Sequence, residues 1–303
     1  MKPSAPSVVN LPPFHALSTR GPALLLLLCL ITACHPTAPR KFPLPARINE
    51  ASGLVIDGNE LIWHNDSGDG PYLYTTDRAG KLLRVDTLDA RAFDYEDIAA
   101  DENGLLYVGD FGNNTGRRTE QTIYRYDRAA QRTDSIVYTY PGEDGQGRLA
   151  PGNYDCEAMV VADGRVHLFT KDMLFGARPF YIKHFTVPTE PGTYVAELVD
   201  SLYLPRRVVT GAALDREQRL LYLVAYNFRM LLGFLPSSSA SLITLSDYPE
   251  GRFLEGKMKR RNIAWALPTQ HEAVAVYDDE YIYVGAEATR LRGYAIARRL
   301  KRR

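Results

Sequence analysis

The sequence predicts an all-β chain built from a repeated four-stranded unit, and three observations carry that prediction. A two-part pattern recurs with a period of about fifty residues, β-branched and aromatic runs alternate with turn formers, and no long helical periodicity occurs in the mature chain.

Each instance of the pattern opens with an acid before small and apolar residues: Glu50-Ala-Ser-Gly-Leu-Val, Glu96-Asp-Ile-Ala-Ala, Glu157-Ala-Met-Val-Val and Glu272-Ala-Val-Ala-Val, with Thr210-Gly-Ala-Ala-Leu as a variant lacking the acid. An aromatic-apolar strand ending in polar groups follows: Leu61-Ile-Trp-His-Asn-Asp, Leu105-Leu-Tyr-Val-Gly-Asp, Val166-His-Leu-Phe-Thr-Lys-Asp, Leu221-Tyr-Leu-Val-Ala-Tyr-Asn and Tyr281-Ile-Tyr-Val-Gly-Ala-Glu. Turn formers separate the two parts, among them Asp57-Gly58-Asn59, Asp163-Gly164 and Asp278-Asp279, so each unit begins as a β-hairpin. Further strands follow, for example Tyr72 to Thr76 and Leu82 to Thr87. Four strands per unit make the blade of a β-propeller.

The first strands start at 50, 96, 157, 210 and 272, which favours five blades. The long fourth unit leaves six as the alternative. The last unit has room for three strands, and the N-terminal segment beginning at Lys41 supplies the fourth, closing the ring and protecting open strand edges.

The chain ends predict export. Lys2 and Arg20 precede an apolar run from Ala23 to Ile31, the order of a secretory signal, and nine apolar residues fall short of the roughly 20 that a membrane-spanning helix needs. Thr32-Ala33-Cys34 resembles the lipobox of bacterial lipoproteins, which implies lipidation at Cys34 and attachment to a bacterial membrane on its periplasmic or cell-surface side. The expected organisation is a signal peptide over 1–33, a lipidated, proline-rich tether over 34–45, a propeller over 46–297 and a basic tail over 298–303.

Composition narrows the function. Cys34 and Cys156 are the only cysteines after residue 33, which excludes a disulfide scaffold and a multi-cysteine zinc site. Of the 36 basic residues, two belong to the signal and five to the tail, so the body carries 29 against 36 acids; a net of −7 argues against nucleic acid as a partner. No nucleotide-binding loop, Gly-x-Ser-x-Gly elbow or His-Glu-x-x-His motif occurs.

Innermost strands line a propeller's axis, so the opening acids Glu50, Glu96, Glu157 and Glu272 are expected to gather at one axial mouth. The polar strand ends Asp66, Asp110, Asp172, Asn227 and Glu287 return to the same mouth, and His64 and Lys171 stand beside them. Carboxylates cannot converge without compensation, because like charges raise one another's pKa. A divalent cation such as Ca²⁺, protonation of some acids, or internal pairing with Lys171, Arg117, Arg118 or Arg206 would each supply it. Glu50, Asp66, Asp110, Asp172, Asn227 and Glu287 form the candidate cation ligands; Glu96, Glu157, Glu272, His64 and Lys171 form the candidate ligand-binding set.

At Ser52-Gly-Leu, His64-Asn-Asp-Ser-Gly, Asp97-Ile-Ala, Gly109-Asp-Phe-Gly-Asn-Asn and Asn153-Tyr-Asp-Cys-Glu-Ala the chain resembles a family of secreted bacterial β-propeller lipoproteins that brings no assigned activity with it. The acids at strand starts are also similar in placement to those of calcium-dependent lactonase-type propellers; that resemblance implies a metal-binding role for Glu50.

The leading expectation is therefore a lipid-anchored extracytoplasmic propeller that binds a ligand at an acidic axial mouth without catalysing a reaction, with Ca²⁺ as the candidate cation there. A metal-assisted hydrolase of a lactone, ester or phosphate and a scaffold for another envelope protein are the competing readings.

Overall fold

The computed structural model describes residues 38–141, 154–171, 181–231, 235–264 and 270–302. Cys34 and Asp172 lie outside them. After a short strand β1 (Lys41–Pro43), blade I consists of β2 (Ala51–Asp57), β3 (Glu60–Asn65), β4 (Tyr72–Thr76) and β5 (Leu82–Thr87). Blade II holds β6 (Tyr95–Ala100), β7 (Leu106–Asp110), β8 (Gln121–Asp127) and β9 (Arg132–Thr139). Blade III holds β10 (Asp155–Ala162), β11 (Arg165–Lys171) and β12 (Tyr181–Pro188); the chain then lends β13 (Gly192–Val195) to blade II, parallel to β9, before returning as β14 (Glu197–Tyr203). Blade IV is β15 (Val208–Asp215), β16 (Leu220–Leu231), β17 (Leu235–Ser246) and β18 (Lys257–Ala264). Blade V is β19 (His271–Val276), β20 (Tyr281–Ala286) and β21 (Ile296–Lys301), completed by β1.

The innermost strands β2, β6, β10, β15 and β19 pack in that order into a closed ring of five blades. The length that left room for a sixth is taken up by β16 and β17, at twelve residues each the longest strands described. Local chemistry agrees with the turns: Asp163 and Gly164 both have positive φ, 51° and 70°, as a two-residue type I′ hairpin requires.

The ends differ from expectation. Phe42 and Leu44 bury their side chains, which turns the inner part of the expected tether into the ring-closing strand β1. Ile296, Ala297 and Leu300 do the same at the other end, so Arg298, Arg299 and Lys301 belong to β21 rather than to a solvated tail. Beyond them Arg302 is buried against Asp215 and Tyr222.

The core is divided among the blade interfaces. Ile62, Tyr95 and Val108 fill the space between blades I and II; Tyr107, Tyr138 and Phe185 that between II and III; Phe169, Leu223 and Phe253 that between III and IV. Tyr222, Val224 and Val284 join IV to V, and Trp63, Tyr74 and Tyr283 join V to I. Each large side chain so buried stabilises the ring by about 1.5–3 kcal/mol. The buried indole of Trp63 donates to Thr76 Oγ1 at 3.1 Å, so no polar atom is stranded there. All strands and all these clusters lie within one compact unit, Ala38–Arg303.

Candidate functional site

One irregularity, repeated in every blade, builds the site. Near the start of each innermost strand the pairing with the second strand slips by one residue, at Ser52, Glu96, Glu157, Thr210 and Glu272. A β-bulge re-aims the side chain of its extra residue, and here it does so five times around one axis. Three of these residues are glutamates and two are hydroxyls. The hydroxyls tie blades together: Ser52 Oγ donates to the Glu96 carbonyl at 2.7 Å, and Thr210 Oγ1 to the His271 carbonyl at 2.8 Å.

The same frame identifies two further tiers. Two residues before each bulge stand Glu50, Asp94, Asp155, Val208 and Gln270; on the returning strand or just past it stand Asp66, Phe111, Lys171, Tyr226 and Glu287. The mouth is thus predominantly acidic, with Lys171 as the one cation at these positions.

Two triads of carboxylates converge, each with oxygens within 4.8 Å of one another: Asp66, Asp94 and Glu96, and Glu96, Asp155 and Glu157. The second is already compensated, since Lys171 pairs with Glu157 and lies 3.5 Å from Asp155. Burial opposes the Lys171 ammonium, but Glu157, Asp155 and Glu96 hold its pKa well above that of an ordinary lysine. Among the described residues the first triad has no cation within ion-pair distance. Glu96 belongs to both and is 5% exposed, and its Oε1 is buried without a hydrogen-bond partner.

Desolvation dominates the electrostatics. Burial first, then Glu272, raise the Asp66 pKa to about 7. Asp94 is raised by burial and by Asp155, and Glu96 is raised well above the carboxylate range by burial and by Glu157. Glu287, hydrogen-bonded to Glu272, is pushed up to about 10 by burial and by that neighbour's charge. Gln270 Nε2 donates to Glu272 Oε1 at 3.2 Å and holds the pair in place.

The expected residues divide accordingly. Glu96, Glu157, Lys171, Asp66, Glu272 and Glu287 meet in the mouth. Glu50 is exposed and stands two residues before the bulge, where Ser52 occupies the frame; its charge reaches Asp66 and Glu287, but its side chain is outside both triads. Asp110 pairs with Arg118 at 2.8 Å and accepts the Phe93 and Asp94 N–H groups, so it fixes the loop behind the mouth. His64 packs edge-on against Tyr95 between blades I and II, where burial lowers its pKa to about 4 and keeps it neutral. Asn227 is buried in β16 opposite Ser239, and it is the phenol of its neighbour Tyr226, kept neutral by burial, that senses the charges of Lys171 and Glu272. Asp172 is outside the described residues.

Sequence reasoning missed Asp94 and Asp155. Both lie two residues before a glutamate, in Asp94-Tyr-Glu96 and Asp155-Cys-Glu157, a spacing that was readable. Alternation along a strand sets both acids of such a pair on one side, and the bulge at the glutamate re-aims its side chain.

Gly112 shapes the cation-free triad. A Cβ at that position would fall 2.1 Å from Glu96 Oε1 and 2.4 Å from Asp94 Oδ2, so the backbone passes where a side chain would displace both ligands.

No family model matches the chain, and no curated protein does either. Solved structures with a similar fold include an α-L-arabinanase of Penicillium chrysogenum, with a TM-score of 0.50 and 10% identity over 88% of this chain and 99% of that one. A gluconolactonase of Xanthomonas campestris gives 0.46 and 14%, over 86% and 89%. A virginiamycin B lyase of Staphylococcus aureus gives 0.38 and 11% over 82% of this chain, which spans 64% of the lyase. At these identities the likeness is one of fold: the chain is a five-bladed β-propeller with an acidic axial cluster able to hold a metal ion.

Proposed function

We propose that this is an extracytoplasmic propeller, anchored through lipidated Cys34, that holds a hard divalent cation at Asp66, Asp94 and Glu96 and uses it to bind a small oxygen-rich ligand. The observation that carries the reading is the Glu96 carboxylate, buried, without a hydrogen-bond partner for Oε1, and shared between a triad in which Lys171 pairs with the other two acids and a triad with no cation in ion-pair distance among the described residues. The three carboxylates offer oxygens within 4.8 Å of one another, close enough for one hard cation to touch all three. Three protein ligands leave open positions, since Ca²⁺ takes roughly six to eight oxygens. Waters and the ligand would fill them.

A cation-assisted hydrolase is the second reading, and one observation favours it: Glu287, protonated beside Glu272, supplies a general acid across the same mouth.

The test is calorimetric titration of Ca²⁺ into chelator-stripped protein. Glu96→Gln should remove most of the heat, while Glu50→Gln, outside the triads, should retain it. Equal binding by wild type and Glu96→Gln, or no binding by wild type, would sink the proposal.

A further inference from the structure

The outermost strands of blades IV and V, β18 and β1, with β21 beside β1, form a basic flank on an otherwise acidic body. Strand β18 carries Lys257, Lys259, Arg260 and Arg261 and no acid. Beside it, β21 carries Arg298, Arg299 and Lys301, and the segment entering β1 carries Arg40 and Lys41. The two blades are sewn together here by arginines: Arg298 Nη1 donates to the Ile263 carbonyl at 3.0 Å, and Arg261 donates to the Lys301 carbonyl. In register, Lys41 stands opposite Arg298, so these two cations share the face of blade V that meets β18.

That surface is uncompensated. Lys257 pairs with Asp247 at 3.0 Å, but Arg40, Lys41, Lys259, Arg260 and Lys301 are exposed and have no acid within ion-pair distance among the described residues. On blades I and II, by contrast, Arg84 pairs with Asp86 and Arg128 with Asp57. Like charges crowd closely enough that Arg298, already disfavoured by burial, is lowered further by Arg40.

The flank is also where the chain enters the propeller. The described chain begins at Ala38, four positions after Cys34 and two before Arg40, and runs directly into β1. An extended chain spans at most about 3.3–3.6 Å per residue, so no more than roughly 20 Å of chain separates Arg40 from Cys34. Acyl insertion and basic residues act additively on membrane attachment, and each lysine or arginine at an anionic surface strengthens partition about fivefold.

We propose that the flank formed by β18, β21 and Arg40–Lys41 docks on the headgroups of an anionic phospholipid bilayer. A bilayer fits this flank because the charge is spread along exposed strands rather than set in a cleft, and because the point of chain entry lies on the flank itself. The inference is independent of cation binding at the mouth. The competing account is that lysines and arginines on an outer strand only prevent edge-to-edge pairing.

The chain from residue 35 onward, which contains the whole compact unit and no acyl site, separates the two accounts by co-sedimentation with vesicles. It should bind vesicles of mixed phosphatidylglycerol and phosphatidylcholine, fail to bind phosphatidylcholine alone, and be released by salt. Combined Lys41→Glu, Lys259→Glu and Arg260→Glu keeps the edges charged, so edge protection survives, and should weaken binding by roughly a hundredfold or more. Lys41→Gln, Lys259→Gln and Arg260→Gln should weaken it in the same direction, and serve if charge reversal prevents folding. Arg132→Glu, on β9 of blade II and away from the flank, should change it little. Absence of binding to the anionic vesicles, an equal loss with Arg132→Glu, or binding to an acidic polysaccharide or nucleic acid but not to vesicles would overturn the proposal.

Discussion

Gly112 and Glu96 are in contact through an absence: the Cβ that Gly112 lacks would stand 2.1 Å from Glu96 Oε1. The atoms it would strike are the ends of flexible side chains, those of Glu96 and Asp94, and these can swing away. Gly112→Ala is therefore expected to leave the melting temperature nearly unchanged and to weaken Ca²⁺ binding by about 10–100-fold, the loss typical when residues that orient metal ligands are altered. Calorimetric titration of the variant checks this; unaltered affinity would mean that Glu96 is not a ligand.

Asp66 predicts a pH dependence with a definite sign. Its folded pKa of about 7 lies above the value of an unfolded aspartate, so the native state binds the extra proton between about pH 4 and pH 7. In metal-free protein this contribution is fully present below about pH 4 and is lost as the pH rises through about 7, at a cost on the order of 2–4 kcal/mol. The cation competes with that proton. Below pH 7 its affinity should fall with each unit by up to about tenfold, and saturating Ca²⁺ should flatten or reverse the stability slope. Urea titrations at several pH values, with chelator and with Ca²⁺, measure both.

Lys171 holds the second triad together. Removing its ammonium strands Asp155 and Glu157, both nearly fully buried, and a broken buried pair costs about 3–5 kcal/mol. Lys171→Met should lose that much at pH 8 and less at pH 5, because protonation of the two acids removes the uncompensated charge. A loss independent of pH would assign Lys171 a packing role only.

Much of the architecture was legible because each local signal had one physical reading. Asp163-Gly164 tolerates positive φ at both positions, and the strand returning from it must pair with β10. Five acid-or-hydroxyl positions marked five inner strands. The frame of the first was misread because Glu50, Asp94 and Asp155 occupy one tier while Ser52, Glu96 and Glu157 occupy another, and an opening acid alone does not say which tier it belongs to. Register decides that, and register depends on a bulge that only pairing across the hairpin defines. His64 and Asp110 were drawn to the mouth by sequence position, whereas one is held by Tyr95 in the next blade and the other by Arg118.

Ser52 and Thr210 occupy equivalent bulges and make the same bond to the next blade, but with different consequences. Thr210→Val removes the donor at nearly constant shape and takes one hydrogen bond from the buried His271 carbonyl, at a cost of about 0.5–1.5 kcal/mol. The bond it breaks lies between blades IV and V, away from the cation-free triad, so Ca²⁺ affinity should be unchanged. Ser52→Ala breaks the bond between blades I and II, and the carbonyl it releases belongs to Glu96 itself. It should cost similar stability and in addition loosen the cation site, since the Glu96 backbone is then held by one bond fewer. Melting curves and Ca²⁺ titrations of the two variants separate these effects. Equal loss of affinity in both would mean that ring stability in general sustains the site, and loss in Ser52→Ala alone would tie it to this one bond.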